Sequence, residues 1–104
     1  MTDLKKINAR EIIPGFYAKF IHAEHFTVAY WEIKAGSAMP VHSHPNEQLT
    51  TMIGGEFELT VDGETRILRP ETAVTIKPNV KHSGRAISDC RIIDVFFPGR
   101  DDYR

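Results

Sequence analysis

Phe57-Glu58-Leu59-Thr60-Val61-Asp62-Gly63-Glu64-Thr65-Arg66-Ile67-Leu68 is the stretch that decides the fold. Phe57, Leu59 and Val61 alternate with Glu58 and Thr60, the period of a strand with one buried face. Asp62-Gly63 then predicts a two-residue turn of type I′, because glycine takes a positive φ without a Cβ clash. Such a turn pairs Val61 with Glu64 and Glu56 with Arg69, setting opposite charges across the ladder. Leu68 then faces Phe57 on the buried side. Ile67 falls on the polar side, an apolar residue out of pattern.

The rest of the chain extends this reading. Glycine and proline recur at short intervals, at Pro14-Gly15, Gly36, Pro40, Pro45, Gly54-Gly55, Pro70, Pro78, Gly84 and Pro98-Gly99. The segments between them are mostly too short for average helices. They are rich in Phe, Tyr, Ile, Val and Thr, which suit a pleated, half-buried surface. Strands are expected at Phe26 to Ile33, Leu49 to Ile53, Phe57 to Val61, Ala73 to Ile76 and Arg91 to Phe97. Parallel pairing needs long crossovers, for which there is no room. Many short strands with regular turns predict an antiparallel sandwich or barrel. Only the first fifteen residues have room for a short helix.

The 104 residues make one domain with one core, too few for a two-domain nucleotide enzyme or a TIM barrel. Hydrophobic residues are 41% and charged residues 26%, ordinary globular usage that argues against disorder. A net charge of -1 gives no basic excess for nucleic acid. The one cysteine, Cys90, excludes an internal disulfide and a cysteine-rich zinc site. No apolar run reads as a signal peptide or a membrane span. A cytoplasmic protein is expected, with its chemistry on a few side chains. Five histidines are the first candidates.

His42 and His44 are two apart, so on a strand both rings point the same way. Two converging imidazoles begin a metal site, since neutral imidazole is the commonest protein metal ligand. If the chain stays extended past Pro45, Gln48 shares their face and Glu47 does not. His82, in Pro78-Asn79-Val80-Lys81-His82, offers a fourth donor.

Around the pair the spacing resembles the first motif of the cupin superfamily. That motif reads glycine, five residues, His-x-His, three or four residues, Glu, six residues, glycine. Gly36, His42, His44 and Gly55 fall in register, with Gln48 at the glutamate position. The second motif is partly met: Pro78 and His82 stand in place, with Thr72 and Val80 where the family has glycine. The resemblance spans about residues 26 to 97. It implies an all-β antiparallel double-sheet jelly roll, with an N-terminal strand or arm and a short C-terminal tail. It further implies one divalent transition metal (Ni, Zn, Mn or Fe) inside the barrel, and a homodimer.

Three imidazoles and an amide leave a bound ion its full charge, favouring Lewis-acid chemistry and an anionic substrate. Facial-triad iron oxygenases want a carboxylate in that shell, so glutamine favours non-redox chemistry. The alternative is that Glu47 is the ligand and Gln48 is not.

Cys90-Arg91-Ile92-Ile93-Asp94-Val95-Phe96-Phe97 is apolar on both faces, with Asp94 between Ile92 and Phe96. A buried carboxylate is costly unless paired or used. Desolvation raises its pKa and makes it a candidate general acid or base; the bland reading pairs it with an arginine or backbone N–H groups. Arg100 follows six residues on. By itself the Arg100-Asp101-Asp102-Tyr103 segment reads as a solvated tail, yet a guanidinium there suits a bidentate carboxylate clamp. The stretch Asp89 to Tyr103, with His42 to Gln48 and Lys77 to Gly84, resembles the pectin-degradation cupins, which linearise 4,5-unsaturated uronates. That resemblance implies metal ligands His42, His44, Gln48 and His82, and active-site residues Asp94, Phe96 and Arg100. The chain departs from that family at Lys81 and at Phe97, whose bulk is expected to narrow the mouth.

The function so implied is metal-dependent opening of 4,5-unsaturated uronate monosaccharides to 5-keto-4-deoxyuronate. The alternatives are another metal-binding cupin enzyme, a sugar isomerase or dioxygenase, or a non-catalytic module for a small acid. Trp31 and Tyr30 read as core or interface aromatics, His22 and His25 as surface or interface residues. Met39 and Met52 read as packing that flanks the motif.

Overall fold

The computed structural model describes all 104 residues as ten antiparallel strands in two sheets. The strands are β1 (Arg10–Ile13), β2 (Phe16–His22), β3 (Thr27–Ile33), β4 (Ala38–His42) and β5 (Glu47–Gly54). They continue with β6 (Phe57–Val61), β7 (Glu64–Leu68), β8 (Ala73–Ile76), β9 (His82–Ala86) and β10 (Cys90–Phe97). Six strands run in the order β1-β2-β3-β10-β5-β8, and four in the order β4-β9-β6-β7. This is the double-sheet jelly roll that the family resemblance implies, and it bears out the antiparallel sandwich or barrel expected from the strand spacing. Only two 3-10 turns, Leu4–Lys6 and Asp101–Tyr103, depart from strand and loop. No helix is long and apolar enough to cross a membrane.

The decisive hairpin forms in the expected register. Val61 pairs with Glu64 and Phe57 with Leu68. Asp62 and Gly63 take φ of 49° and 80°, both positive as a type I′ turn requires. Just below the hairpin, Arg69 sits 3.1 Å from Glu56. Ile67 is half-buried on the outer face opposite Glu58, so the register holds despite it.

The six-stranded sheet begins well before residue 26: β1 and β2 extend it from Arg10. Between the sheets lies the core. The larger sheet contributes Phe16, Trp31, Ile33, Met52, Ile92 and Phe96; the smaller contributes Phe57, Leu59 and Leu68. Phe16 meets Trp31 and Phe57 edge-on, at centroid distances of 6.1 and 6.4 Å. A side chain of this size contributes about 1.5–3 kcal/mol on full burial. The register then delivers the polar exceptions to one end of this core. On β10, Asp94 lies between Ala29 of β3 and Thr50 of β5, and Phe96 lies opposite Gln48. In the other sheet, His42 of β4 lies opposite His82 of β9.

Candidate metal centre

His42, His44 and His82 converge, each offering one ring nitrogen within 4.8 Å of the others. The ring centroids of His42 and His44 are 4.1 and 5.0 Å from that of His82. The three are placed differently. His42 ends β4 and His82 begins β9, while His44 stands in the loop that crosses to the other sheet. The strand parity expected for His42, His44 and Gln48 is therefore broken at Ser43. Gln48 reaches the same point from the opposite sheet, and Glu47 points outward, exposed.

Main-chain carbonyls set the protonation of each ring. Nδ1–H of His42 donates to the Pro40 carbonyl at 2.9 Å, that of His44 to Asn46 at 3.0 Å, and that of His82 to Val80 at 2.9 Å. A carbonyl only accepts, so Nδ1 carries the proton and a neutral ring leaves Nε2 bare. Burial lowers the pKa of His44 and brings that of His82 down to about 4, which keeps both neutral near pH 7.

The bare nitrogens lack partners. Nε2 of His82 is buried with no hydrogen bond. Nε2 of His44 faces Oε1 of Gln48 at 3.0 Å, lone pair against lone pair. Gln48 holds that orientation because its amide N–H donates to Thr50 Oγ1 at 2.9 Å, and Thr50 donates to Asp94 Oδ1 at 2.6 Å. Buried acceptors aimed at one another are unfavourable unless something positive lies among them. The donor set fits a divalent transition ion.

Asp94 sits behind this cluster. The Trp31 indole N–H donates to its second oxygen at 2.9 Å, so the acid is paired with an indole and a hydroxyl rather than with an arginine. Burial raises its pKa to about 6 against the pull of these donors. A cavity of about 40 Å³ lies here, touched by Asp94, Gln48, His82 and Met39. It has room for a water molecule. Met52 is buried in the core, outside this cavity.

The mouth is aromatic and cationic. Phe96 lies edge-on to His44 at 5.6 Å, and the Arg100 guanidinium lies 4.8 Å from the Phe96 centroid. Arg100 is buried, and its backbone N–H donates to Thr27 Oγ1 at 2.9 Å. Asn46 ties the preceding turn by donating to the Pro98 carbonyl at 2.6 Å. The seven residues expected as metal ligands or active-site residues, His42, His44, Gln48, His82, Asp94, Phe96 and Arg100, are thus neighbours. Phe97, expected to narrow the mouth, does not: one residue past Phe96, it takes the outer face and is 58% exposed. His22 hydrogen-bonds Thr27 on β2's end, and His25 is exposed beside Glu24, both apart from the metal cluster.

Thr50, Asn46, Asp102 and Tyr103 escaped sequence reasoning as site residues; Trp31, expected in the core, is buried there and in addition donates to Asp94. Tyr103 lays its ring 4.2 Å from the Arg100 guanidinium and stacks on Phe20 at 4.7 Å. Asp102 accepts two hydrogen bonds from Arg100, at 2.8 and 3.0 Å, which hold its carboxyl below the usual carboxylate range.

Residues 29–96 match the family model described as Cupin domain. The chain is 29% identical over 100 residues to H2HPP isomerase of Bacillus subtilis, covering 93% of this chain and 42% of that protein. It therefore spans about two-fifths of that relative's length. KdgF from a Halomonas species superposes with a TM-score of 0.90 at 26% identity, covering 96% of this chain and 94% of the other. An RmlC-like cupin from Shewanella frigidimarina superposes with a TM-score of 0.94 at 22% identity, covering 100% and 95%. At that identity it speaks to the fold alone.

Proposed function

Since the chain belongs to the cupin domain family, we propose that it is a metal-dependent enzyme that opens the ring of 4,5-unsaturated uronates to 5-keto-4-deoxyuronates. One observation carries the reading. A buried carboxyl with a pKa pushed up to about 6 stands one hydroxyl away from the Gln48 amide, with Arg100 at the mouth above. An acid/base group and a carboxylate receptor at one metal centre are what an acidic sugar requires. The likeness to KdgF supports it.

In this reading His42, His44, Gln48 and His82 hold the ion. When bound, it supplies a Lewis acid that polarises a substrate oxygen. Arg100 seats the substrate carboxylate. Asp94 takes the proton of the anomeric hydroxyl as the C1–O5 bond breaks, leaving an aldehyde at C1 and an enolate at C5. The same proton, returned to C4, gives the 5-ketone, so atoms balance and no oxidant is needed. A pKa near the working pH suits a group that both accepts and donates. Phe96 keeps the mouth dry, which strengthens the charged contacts. Trp31 and Thr50 aim the carboxyl.

Purified, metal-loaded protein incubated with lyase-generated unsaturated galacturonate tests the reading. Ring-form NMR signals should vanish faster than they do without protein. Asp94→Asn should slow the loss by about 10²–10⁴. A wild-type rate equal to the spontaneous one sinks the proposal.

We also infer a homodimer. Ile93, Val95 and Phe97 face outward on β10, flanked by Tyr30 and Val28 on β3 and Leu49 on β5. Apolar outer faces on central strands favour association with a second copy. Sedimentation should give about twice 11.8 kDa; a monomer at micromolar concentration refutes it.

A further inference from the structure

Arg100 already holds a carboxylate. Its side chain is 9% exposed and touches the Phe96 and Tyr103 rings, at 4.8 and 4.2 Å. With aromatic rings against the guanidinium, hydrogen bonding is directed from its edge. Nε and Nη2 on that edge donate to the two oxygens of Asp102, at 3.0 and 2.8 Å. This is the parallel two-bond geometry by which arginine recognises a free carboxylate.

Asp102 is lightly held in return. It is 61% exposed and rides on a three-residue 3-10 turn whose first position has no side-chain cap. The turn is closed by the Tyr103 N–H to the Arg100 carbonyl at 3.0 Å and braced by Arg10 on the Tyr103 carbonyl at 2.6 Å. A buried cation thus meets a solvent-facing, replaceable anion.

We propose that Asp102 is a specificity-determining residue, its carboxylate standing in the seat on Arg100 that the substrate carboxylate takes. Ligand entry is then an exchange of one carboxylate for another. An acidic sugar replaces Asp102 bond for bond, and the released Asp102 regains water. A neutral sugar cannot make the exchange, because displacing Asp102 leaves a buried guanidinium unpaired. Acids are selected over neutral sugars by what already occupies the seat. This rests on the uronate reading above. The opposing possibility, that Asp102 simply orients Arg100, predicts effects of the other sign.

The test uses D-galacturonate, a saturated uronate that lacks the reactive double bond, with D-galactose as the neutral control. Both are titrated calorimetrically into metal-loaded wild type, Asp102→Asn and Asp102→Glu. The exchange model expects Asp102→Asn to bind galacturonate about threefold to tenfold more tightly, the scale of a partly exposed ion pair. Galactose should gain nothing, and Asp102→Glu should return toward wild type. Amide hydrogen exchange across residues 101–104 should rise when galacturonate binds wild type. Weaker or equal binding by Asp102→Asn, or slower exchange of that segment, overturns the seat and leaves the uronate reading standing. No galacturonate binding by either protein overturns both.

Discussion

At the scale of single residues, His82 is the most exacting test of the metal centre. Its Nδ1 is spoken for by Val80 and its Nε2 has no partner. Substituting His82→Ala removes one donor of the proposed set. Elemental analysis after dialysis should show metal per chain reduced at least tenfold, since losing even an outer partner costs about that much affinity. Asp102 gives a pH test. Its carboxyl is held down first by the hydrogen bonds from Arg100, so the folded pKa lies below the unfolded value of 3.8. Its stabilisation is complete above the unfolded value and lost as pH falls through the lower folded one. The stability difference between wild type and Asp102→Asn, read by urea titration, should therefore be constant above about pH 5 and shrink in stronger acid. Residue spacing exposed the histidines because His42 and His44 are near neighbours. Thr50 and Trp31 stayed hidden because their bonds to Asp94 span 44 and 63 residues of chain, and no local pattern records such a bond.

At the scale of elements, legibility followed locality. The Asp62-Gly63 hairpin was readable to its register because turn type and strand parity are properties of adjacent residues. β2 carried a signal that was passed over, the inward series Phe16, Ala18 and Phe20. β4 and β9 carried little. β4 contains Pro40, tolerated because β4 is the edge of its sheet. β9 reads His82-Ser83-Gly84-Arg85-Ala86, with no β-branched residue and no Phe, Tyr or Trp, and is a strand because β4 and β6 pair with it on either side. Gly84 explains part of that composition: a Cβ there would run into the Phe57 ring. Gly84→Ala should lose about 1–3 kcal/mol by overpacking. Thermal melts should record this as a fall of about 4–8 °C for each kcal/mol. An unchanged melting temperature would mean that Phe57 yields without cost.

At the scale of the whole molecule, the proposed centre joins the two sheets. His42 and His82 belong to the four-stranded sheet, and Gln48, Asp94 and Phe96 to the six-stranded one. An ion bound here stabilises the folded chain by about 2.7 kcal/mol when its concentration is about 100 times its dissociation constant. A chelator should lower the melting temperature of wild type in scanning fluorimetry and leave that of His82→Ala unmoved; equal responses would place the metal elsewhere. The three imidazoles are clamped by peptide groups two residues away, from Pro40, Asn46 and Val80. Ring attitude is thus settled by nearby main chain, in advance of any guest. At His44 and His82 an arriving ion has no imidazole proton to expel at neutral pH, and it has no side chain to recruit from solution. A donor set of this kind accepts several late first-row ions, and which one it takes depends on metal availability as well as on the ions' own affinity order. Its occupant then mirrors the ions in free supply around the protein, and preparations from different growth media should differ in metal while agreeing in fold.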